Sequence, residues 1–479
     1  MKKLLSLLIL SLLLFGACAL AEGTETTITL GETILINGEP VSGDPSAPVC
    51  LSLEAQTHED VPEELRTLQN RVIVISAAGD YRFSGEAADA QIAVRAGEND
   101  KVRVILDGVS LSCRTAPAIV GESAFDSRQP GEYGLTLVLA DGSENTVSGS
   151  HTVAPEDDEN AVEFDGAISS IVSLGIEGGG SLTVDADNEG VEVAKGHLTI
   201  NGGTLHIAAC DDPLNVSEDG VGVLTINGGY VYSAVKPLEG GEGDGVDSNG
   251  SIAINGGTVI NLAHPASMDS GIDADLGSSI NGGTVVGAGN MYDPIEADSS
   301  QLFMMLEFAE KTDQLVVVTD ENDQPVFAYD FPHSYTYIAF SSPALKEGTY
   351  RVYLGGEIAG EQTDGLYTAI TSYTPGTRMQ HGGARTAQRG MPMTPPEGMP
   401  EPPEGIEFPR GERPEPPEGM EFPRGERPEP PEGAQFPRGG RGFGGGRGPR
   451  GLESSSEAAT ADFALSRDST GFTSITAAE

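Results

Sequence analysis

The stretch GDGVDSNGSIAINGGTVINLAHPASMDSGIDAD, residues 243 to 275, decides the fold. It states one unit twice: an acidic cluster around a single aliphatic residue, a strand, an Asn-Gly-Gly turn and another strand. The tripeptide recurs at Asn201, Asn227, Asn255 and Asn281, in steps of 26, 28 and 26 residues. A period of this size marks a solenoid, because each unit has an aliphatic row that only the next unit can cover. A parallel β-helix satisfies that condition. An antiparallel sandwich needs hairpins and has no cause to repeat at this interval.

Upstream, strands come steadily from Arg71, as in RVIVISAAGDYRFSG, KVRVILDGVSLSC and GLTLVLADGSENTVSG, each closed by Gly, Asp or Asn. Residues 22 to 70 carry short alternating strands and the segment DVPEELRTLQ, Asp60 to Gln69, which predicts a short capping helix with Asp60 as N-cap. The solenoid is expected over 71 to 300. Residues 301 to 377 carry longer strands of another kind, expected to form a small antiparallel module. Residues 378 to 454 are rich in Pro, Gly, Arg and Glu, with PPEG at Pro402, Pro416 and Pro430. Such composition predicts an extended, disordered insertion. Residues 455 to 479 are then expected to return and pair with the module.

The acidic repeat carries the chemistry. Aligned on the central aliphatic, the chain reads NAVEFD at Val162, EGVEVA at Val191, DPLNVS at Leu214, DGVDSN at Val246, SGIDAD at Ile272 and DPIEAD at Ile295. Strand neighbours point to opposite faces, so the aliphatic goes in while the next residue and the one two beyond it go out. The candidate metal ligands on this alignment are Glu163, Asp165, Glu192, Asp244, Asp247, Asn249, Asp269, Asp273, Asp275, Asp293, Glu296 and Asp298. Stacked rungs place equivalent residues about 4.8 Å apart. Two unit charges at that distance repel by roughly 1 kcal/mol in water and about 3 to 4 kcal/mol at an effective dielectric near 20. Between Glu156 and Asp298 there are 25 acidic residues against only Lys195 and Lys236. A bound cation is the economical answer, and carboxylates, Asn side chains and carbonyls favour calcium. The twelve-residue loop of an EF-hand is absent.

The motifs DGVDSNGSIAINGGTV, SGIDADLGSSINGGTVV and ADGSENTVSG resemble the carbohydrate-binding domain-containing family of clostridial secreted and surface proteins. The resemblance covers roughly residues 71 to 375 and the extreme C-terminus. It implies a right-handed parallel β-helix similar in fold to pectate lyases, with calcium sites along the helix. It also implies binding of plant cell-wall polysaccharide, pectin or polygalacturonate and cellulose, without assigned catalysis. Two departures stand out: DPLNVS lacks the acid after its aliphatic, and the absence of Trp weakens a cellulose-stacking platform. Tyr230 and Tyr232 lie on one side of a strand and, with Lys195, are the candidate carbohydrate contacts.

Catalysis is not expected. A lyase needs a base in the calcium-bound groove, and only Lys195, Lys236, His197, His206 and His264 are on offer across the repeat. Asp211 and Asp212 are conceivable as a hydrolytic pair, but their adjacency suggests a turn. A lyase-like enzyme and a structural surface or adhesion protein remain the alternatives. The net charge of -46 excludes nucleic acid as a natural partner. The N-terminus reads as a signal peptide, residues 1 to 21, with Lys2 and Lys3, a leucine-rich core and Ala19-Leu20-Ala21 for cleavage. Lipidation at Cys18 is the competing reading. A secreted or cell-surface protein, monomeric and without a transmembrane segment after cleavage, is expected. The remaining cysteines, Cys50, Cys113 and Cys210, fit neither a disulfide framework nor a zinc spacing and are expected to be small buried residues.

Overall fold

The computed structural model describes residues 25–56, 61–153, 162–296, 299–382, 462–465 and 472–477. The predicted signal peptide, Cys18, Asp298 and nearly all of the proline-rich insertion lie outside them. Every regular element among the described residues is a β-strand, in one 25-stranded and one 8-stranded sheet. No helix among them is long and apolar enough to cross a membrane.

Three ladders of parallel strands run in step through the repeat. The first joins Leu174–Gly178, His197–Ile200, Val223–Ile226, Ser251–Ile254 and Ser278–Ile280. The second joins Ser181–Ala186, Thr204–Ala209, Tyr230–Val235, Thr258–Leu262 and Thr284–Gly289. The third joins Gly166–Ser170, Glu189–Val193, Leu214–Val216 and Asp247–Ser248. The first four turns of sequence thus give one strand to each ladder, and the fifth gives one to the first and second only. Ile176, Ile200, Ile226, Ile254 and Ile280 stack in register, each with at most 1% exposure. Full burial of one such side chain is worth about 1.5–3 kcal/mol, so the row binds each rung to the next.

The Asn-Gly-Gly turns link the first ladder to the second and hold the rungs in register. Asn227, Asn255 and Asn281 each donate Nδ2 to the Oδ1 of the asparagine one rung earlier, at 2.9, 2.9 and 3.0 Å. Tyr133 accepts from Asn201 at one end, and Ser300 donates to Asn281 at the other. The second glycine of each turn has φ between 85° and 91°. A Cβ at Gly229, Gly257 or Gly283 would also lie 2.6 Å from a carbonyl oxygen of the preceding rung. Both conditions demand glycine.

The segments 22 to 70 and 301 to 377 extend this frame. Thr26–Leu30 pairs parallel with Tyr81–Gly85, while Val49–Glu54 pairs antiparallel with Asn70–Ile75. The expected capping helix is instead a short run of turns over residues 63–67, with Leu65 N bonded to Pro62 O and Leu68 N to Leu65 O. Three-residue spacings of this kind never establish the four-residue ladder of an α-helix, and Asp60 lies outside the described residues. At the other end, Tyr335–Ser341 pairs antiparallel with Val285–Gly289 and closes the parallel run. Phe463–Leu465 pairs with Gly348–Tyr350, and Phe472–Ala477 pairs with both Met305–Phe308 and Met379–Gly382. Cys50 and Cys113 are buried and Cys210 is half-buried, all three as free thiols.

Candidate metal centre on the third ladder

The third ladder places the acidic repeat. Its aliphatic column is Val191, Leu214, Val246 and Ile272, each with no more than 4% exposure. Register pairs Val191 with Leu214 and Asn215 with Asp247. Beyond Asp247 the pattern continues through backbone bonds from Asp273 N to Val246 O and from Ser248 N to Asp273 O. Two oxygen-bearing columns result. The residue after each aliphatic gives Glu192, Asn215, Asp247 and Asp273. The residue two before it gives Glu189, Asp212, Asp244 and Ser270.

The second column is tied rung to rung by backbone capping. Asp212 Oδ1 accepts from Asp244 N at 2.6 Å, and Asp244 Oδ1 accepts from Ser270 N at 2.5 Å. One oxygen of each carboxylate is thereby fixed, and the other is left for the first column. Asp244, Asp247 and Asp273 meet there, with ligand oxygens all within 4.8 Å of one another. Oxygens coordinated at 2.3–2.6 Å on opposite sides of one calcium lie about 4.6–5.2 Å apart, so the triad fits a single such ion. All three donors are hard oxygens, which suits calcium better than a thiophilic metal.

The electrostatics point the same way. Burial first, then repulsion from Asp212, Asp273 and Asp247, raises the Asp244 carboxyl well above the carboxylate range. Burial and then Asp273 push Asp247 up to about 8. Asp273 is raised by burial and by Asp275 and Asp269, and Asp212 by burial and Asp211. The N-terminal rungs solve the same problem with arginine: Arg95 bonds Glu54 at 2.8 Å and Glu122 at 2.7 Å. No arginine occurs between Arg128 and Arg351, and the cations that reach the later rungs are engaged elsewhere, Arg128 with Glu218 and Lys236 with Asp185.

The other expected ligands are dispersed. Glu192 is not on the surface: it is 1% exposed and accepts from Asp165 N at 2.9 Å and from Ser169 Oγ. The chain around Asp165 folds over it, which a two-residue periodicity cannot reveal. Burial and Asp165 push Glu192 up to about 7. Register pairs Glu192 with Ser169, not with the residue after Val162. Glu163 and Asp165 therefore fall outside the column, Glu163 exposed and Asp165 half-buried. Asn249 spends its amide on Ser217 O and Asp219 Oδ1, both at 2.9 Å. Asp269 Oδ2 accepts from Gly243 N at 2.8 Å and from Ser267 Oγ, while Asp275 is exposed. Ile295 bridges Ser278 of the first ladder, so Glu296 also leaves the column. The bridge from Ser270 to Met291 instead brings Asp293 level with Ile272.

The carbohydrate candidates are redistributed as well. Lys195 is exposed in the bend after Val193. Tyr230 and Tyr232 share one face, but the C-terminal module covers it: both pack against a cluster that includes Tyr329, Phe331 and Tyr335. Asp364, at the tip of the hairpin formed by Gly348–Thr363 and Leu366–Gly382, accepts from Tyr230 OH at 2.6 Å and lies 2.9 Å from His206 Nε2. Both tyrosines are half-buried against the module. Asp212 and Glu189 were not among the expected ligands. Their signal was the recurring acid two residues before the aliphatic, in EGV, DPL and DGV.

Part of the sequence is similar to proteins described as carbohydrate-binding. The family model described as "Carbohydrate-binding domain-containing protein" matches residues 69–302. A carbohydrate-binding domain-containing protein of Acetivibrio thermocellus is 29% identical over 144 residues, 30% of this chain and 47% of that relative. The shared stretch thus spans less than half of the relative. Among solved structures, the polysaccharide lyase-like protein from C. thermocellum, a gadolinium derivative, has a TM-score of 0.35 at 23% identity, over 55% of this chain and 93% of that one.

Proposed function

We propose that this chain is an exported right-handed parallel β-helix that holds calcium on its third ladder and binds an anionic plant cell-wall polysaccharide, pectic in kind, without cleaving it. The observation that carries the reading is the meeting of Asp244, Asp247 and Asp273 within 4.8 Å on two successive rungs, in a part of the chain without arginine. Three partly buried carboxylates at that spacing repel unless a cation joins them. Asp244, Asp247 and Asp273 would hold the ion, with Asp212 beside them orienting the rung through Asp244 N. A bound calcium supplies a positive centre that can take a uronate oxygen into its coordination shell. An anionic protein can then hold an anionic sugar. The similarity to carbohydrate-binding domains supports a polysaccharide as the partner.

A non-catalytic role is favoured by the surroundings of the triad. Lys236 is engaged by Asp185 and by Ala186 O at 2.6 Å, and Lys195 is in a separate exposed bend. The test is retention on pectin and on cellulose, with calcium and with chelator, beside a melting curve in each condition. Calcium-dependent retention on pectin and a calcium-dependent rise in Tm are expected. If chelation changes neither, the calcium reading fails. Ultraviolet-absorbing unsaturated product from polygalacturonate would replace the binding role with a lyase.

A further inference from the structure

The second ladder continues upstream through Glu144–Gly149, Val102–Ser112 and Gly79–Ala87. On its outer face at that end lies an open groove of about 350 Å³, lined by Glu32, Arg71, Glu86, Ala88, Ser110 and Ser112. Unequal strand lengths create it. Thr26–Leu30 ends opposite Gly85, while Gly79–Ala87 runs on to pair Glu86 with Ser110 and Ala87 with Leu111. Glu86, Ser110 and Ser112 alternate with the buried Ala87, Leu111 and Cys113, so their side chains point away from the core. The volume falls within the range of small-molecule sites, about 300–1,000 Å³. Ser110, Thr146, Thr183, His206 and Tyr232 follow one another in register. Four strand spacings, about 19 Å, therefore separate the groove from the rung that leads into Asp244.

The groove differs from the rest of this end of the molecule in leaving its polar groups unspent. Arg82, Arg95, Arg103 and Arg114 each meet a carboxylate at 3.2 Å or less. Arg71 instead meets main-chain oxygens: Nη1 donates to Gly31 O at 2.7 Å and to Glu32 O at 3.2 Å, and Nη2 to Ala88 O at 3.1 Å. These bonds fix the guanidinium and leave Nε–H without an acceptor among the described residues. Among those residues the side chains of Glu32, Glu86, Ser110 and Ser112 likewise have no hydrogen bond or ion pair. One fixed donor, two carboxylate acceptors and two hydroxyls that serve as either thus face one space. Two carboxylates against one guanidinium make the groove net negative, which disfavours a sugar carboxylate, and no aromatic ring lines it. A ligand rich in hydroxyls and without charge satisfies both kinds of partner. We propose that this groove is a second glycan subsite, which takes an uncharged pyranose unit by hydrogen bonds to Arg71 Nε, Glu86, Ser110 and Ser112 and needs no metal. This subsite rests on the polysaccharide reading above and not on its calcium.

The experiment titrates the full chain calorimetrically, in chelator and in calcium, with three hexasaccharides: a β-1,4-glucan, a β-1,4-galactan and a fully de-esterified oligogalacturonate. In chelator, wild type is expected to bind at least one neutral hexasaccharide more tightly than the charged one, with the same affinity in calcium. Glu86→Ala should weaken that binding by about tenfold or more, the scale of a hydrogen bond to a charged group. Ser110→Tyr, which fills the groove from an exposed position, should abolish it. Both positions are exposed, so both variants should melt with wild type, and Glu144→Ala, exposed outside the groove, should bind as wild type does. Failure of both neutral hexasaccharides to bind in chelator, binding that survives Ser110→Tyr, or tighter binding of the oligogalacturonate in chelator overturns the subsite. Chelator-insensitive binding that Ser110→Tyr removes supports it even where the calcium reading fails.

Discussion

Replacing Asp247 by asparagine separates a ligand from a merely structural residue, because the two roles predict opposite signs. Asp247 faces Asp244 and Asp273 with oxygens within 4.8 Å. Each such repulsion amounts to about 1 kcal/mol in water and about 3.5 kcal/mol at an effective dielectric of 20. Asparagine keeps the shape and removes both, so the metal-free protein should gain stability. The site is half-buried, which moves the gain toward the aqueous limit, about 2 kcal/mol. With calcium the order reverses. A ligand at a hundred times its Kd stabilises by about 2.7 kcal/mol, and loss of one of three carboxylates should remove more than half of that. Thermal melts in chelator and in calcium, with calorimetric titration of calcium, read both effects. Asp247→Asn should melt higher than wild type in chelator and show a smaller calcium-induced rise, while Glu192→Gln, two column positions away and internally bonded, should keep the wild-type calcium affinity. A variant that melts lower in chelator and keeps the full calcium shift would refute the reasoning.

Glu192 sets a pH dependence of its own. Its folded-state pKa is raised by burial to about 7 from 4.5, so its contribution to stability is present below pH 4.5 and is lost as pH rises to about 7. Chelated wild type should therefore lose about 3 kcal/mol relative to Glu192→Gln across that window, measured by denaturant titration at several pH values. Gly257→Ala should destabilise the rung stack by more than about 2 kcal/mol, since φ is +86° and the new Cβ would stand 2.6 Å from Gly229 O; a melt equal to wild type would contradict the close approach. Asp364→Ala removes the shared acceptor of Tyr230 and His206, and should cost about 1–3 kcal/mol and increase proteolysis of the hairpin without changing calcium affinity.

The 26-residue period and the identities at its fixed positions were enough to establish stacked β-rungs. A buried aliphatic row, an Asn-Gly-Gly turn and a strand repeated at one spacing have few solutions, and Ile176 to Ile280 occupy the row that the period implied. The triad was legible as well, because Asp244, Asp247 and Asp273 belong to the two best-preserved copies. What the linear pattern could not supply was the register of the degenerate copies. Val162 and Ile295 match the motif by letter, yet backbone pairing puts Ser169 beside Glu192 and Ile295 beside Ser278. Nor could alternation show what lies over an outward side chain. Tyr230 and Tyr232 point out from their strand and are partly covered by residues about a hundred positions later, and Glu192 points out and is closed over by the chain at Asp165. Periodicity is a local property of one rung and so is written in the sequence; burial of its outer face depends on which distant segment folds over it, and only the tertiary structure decides that.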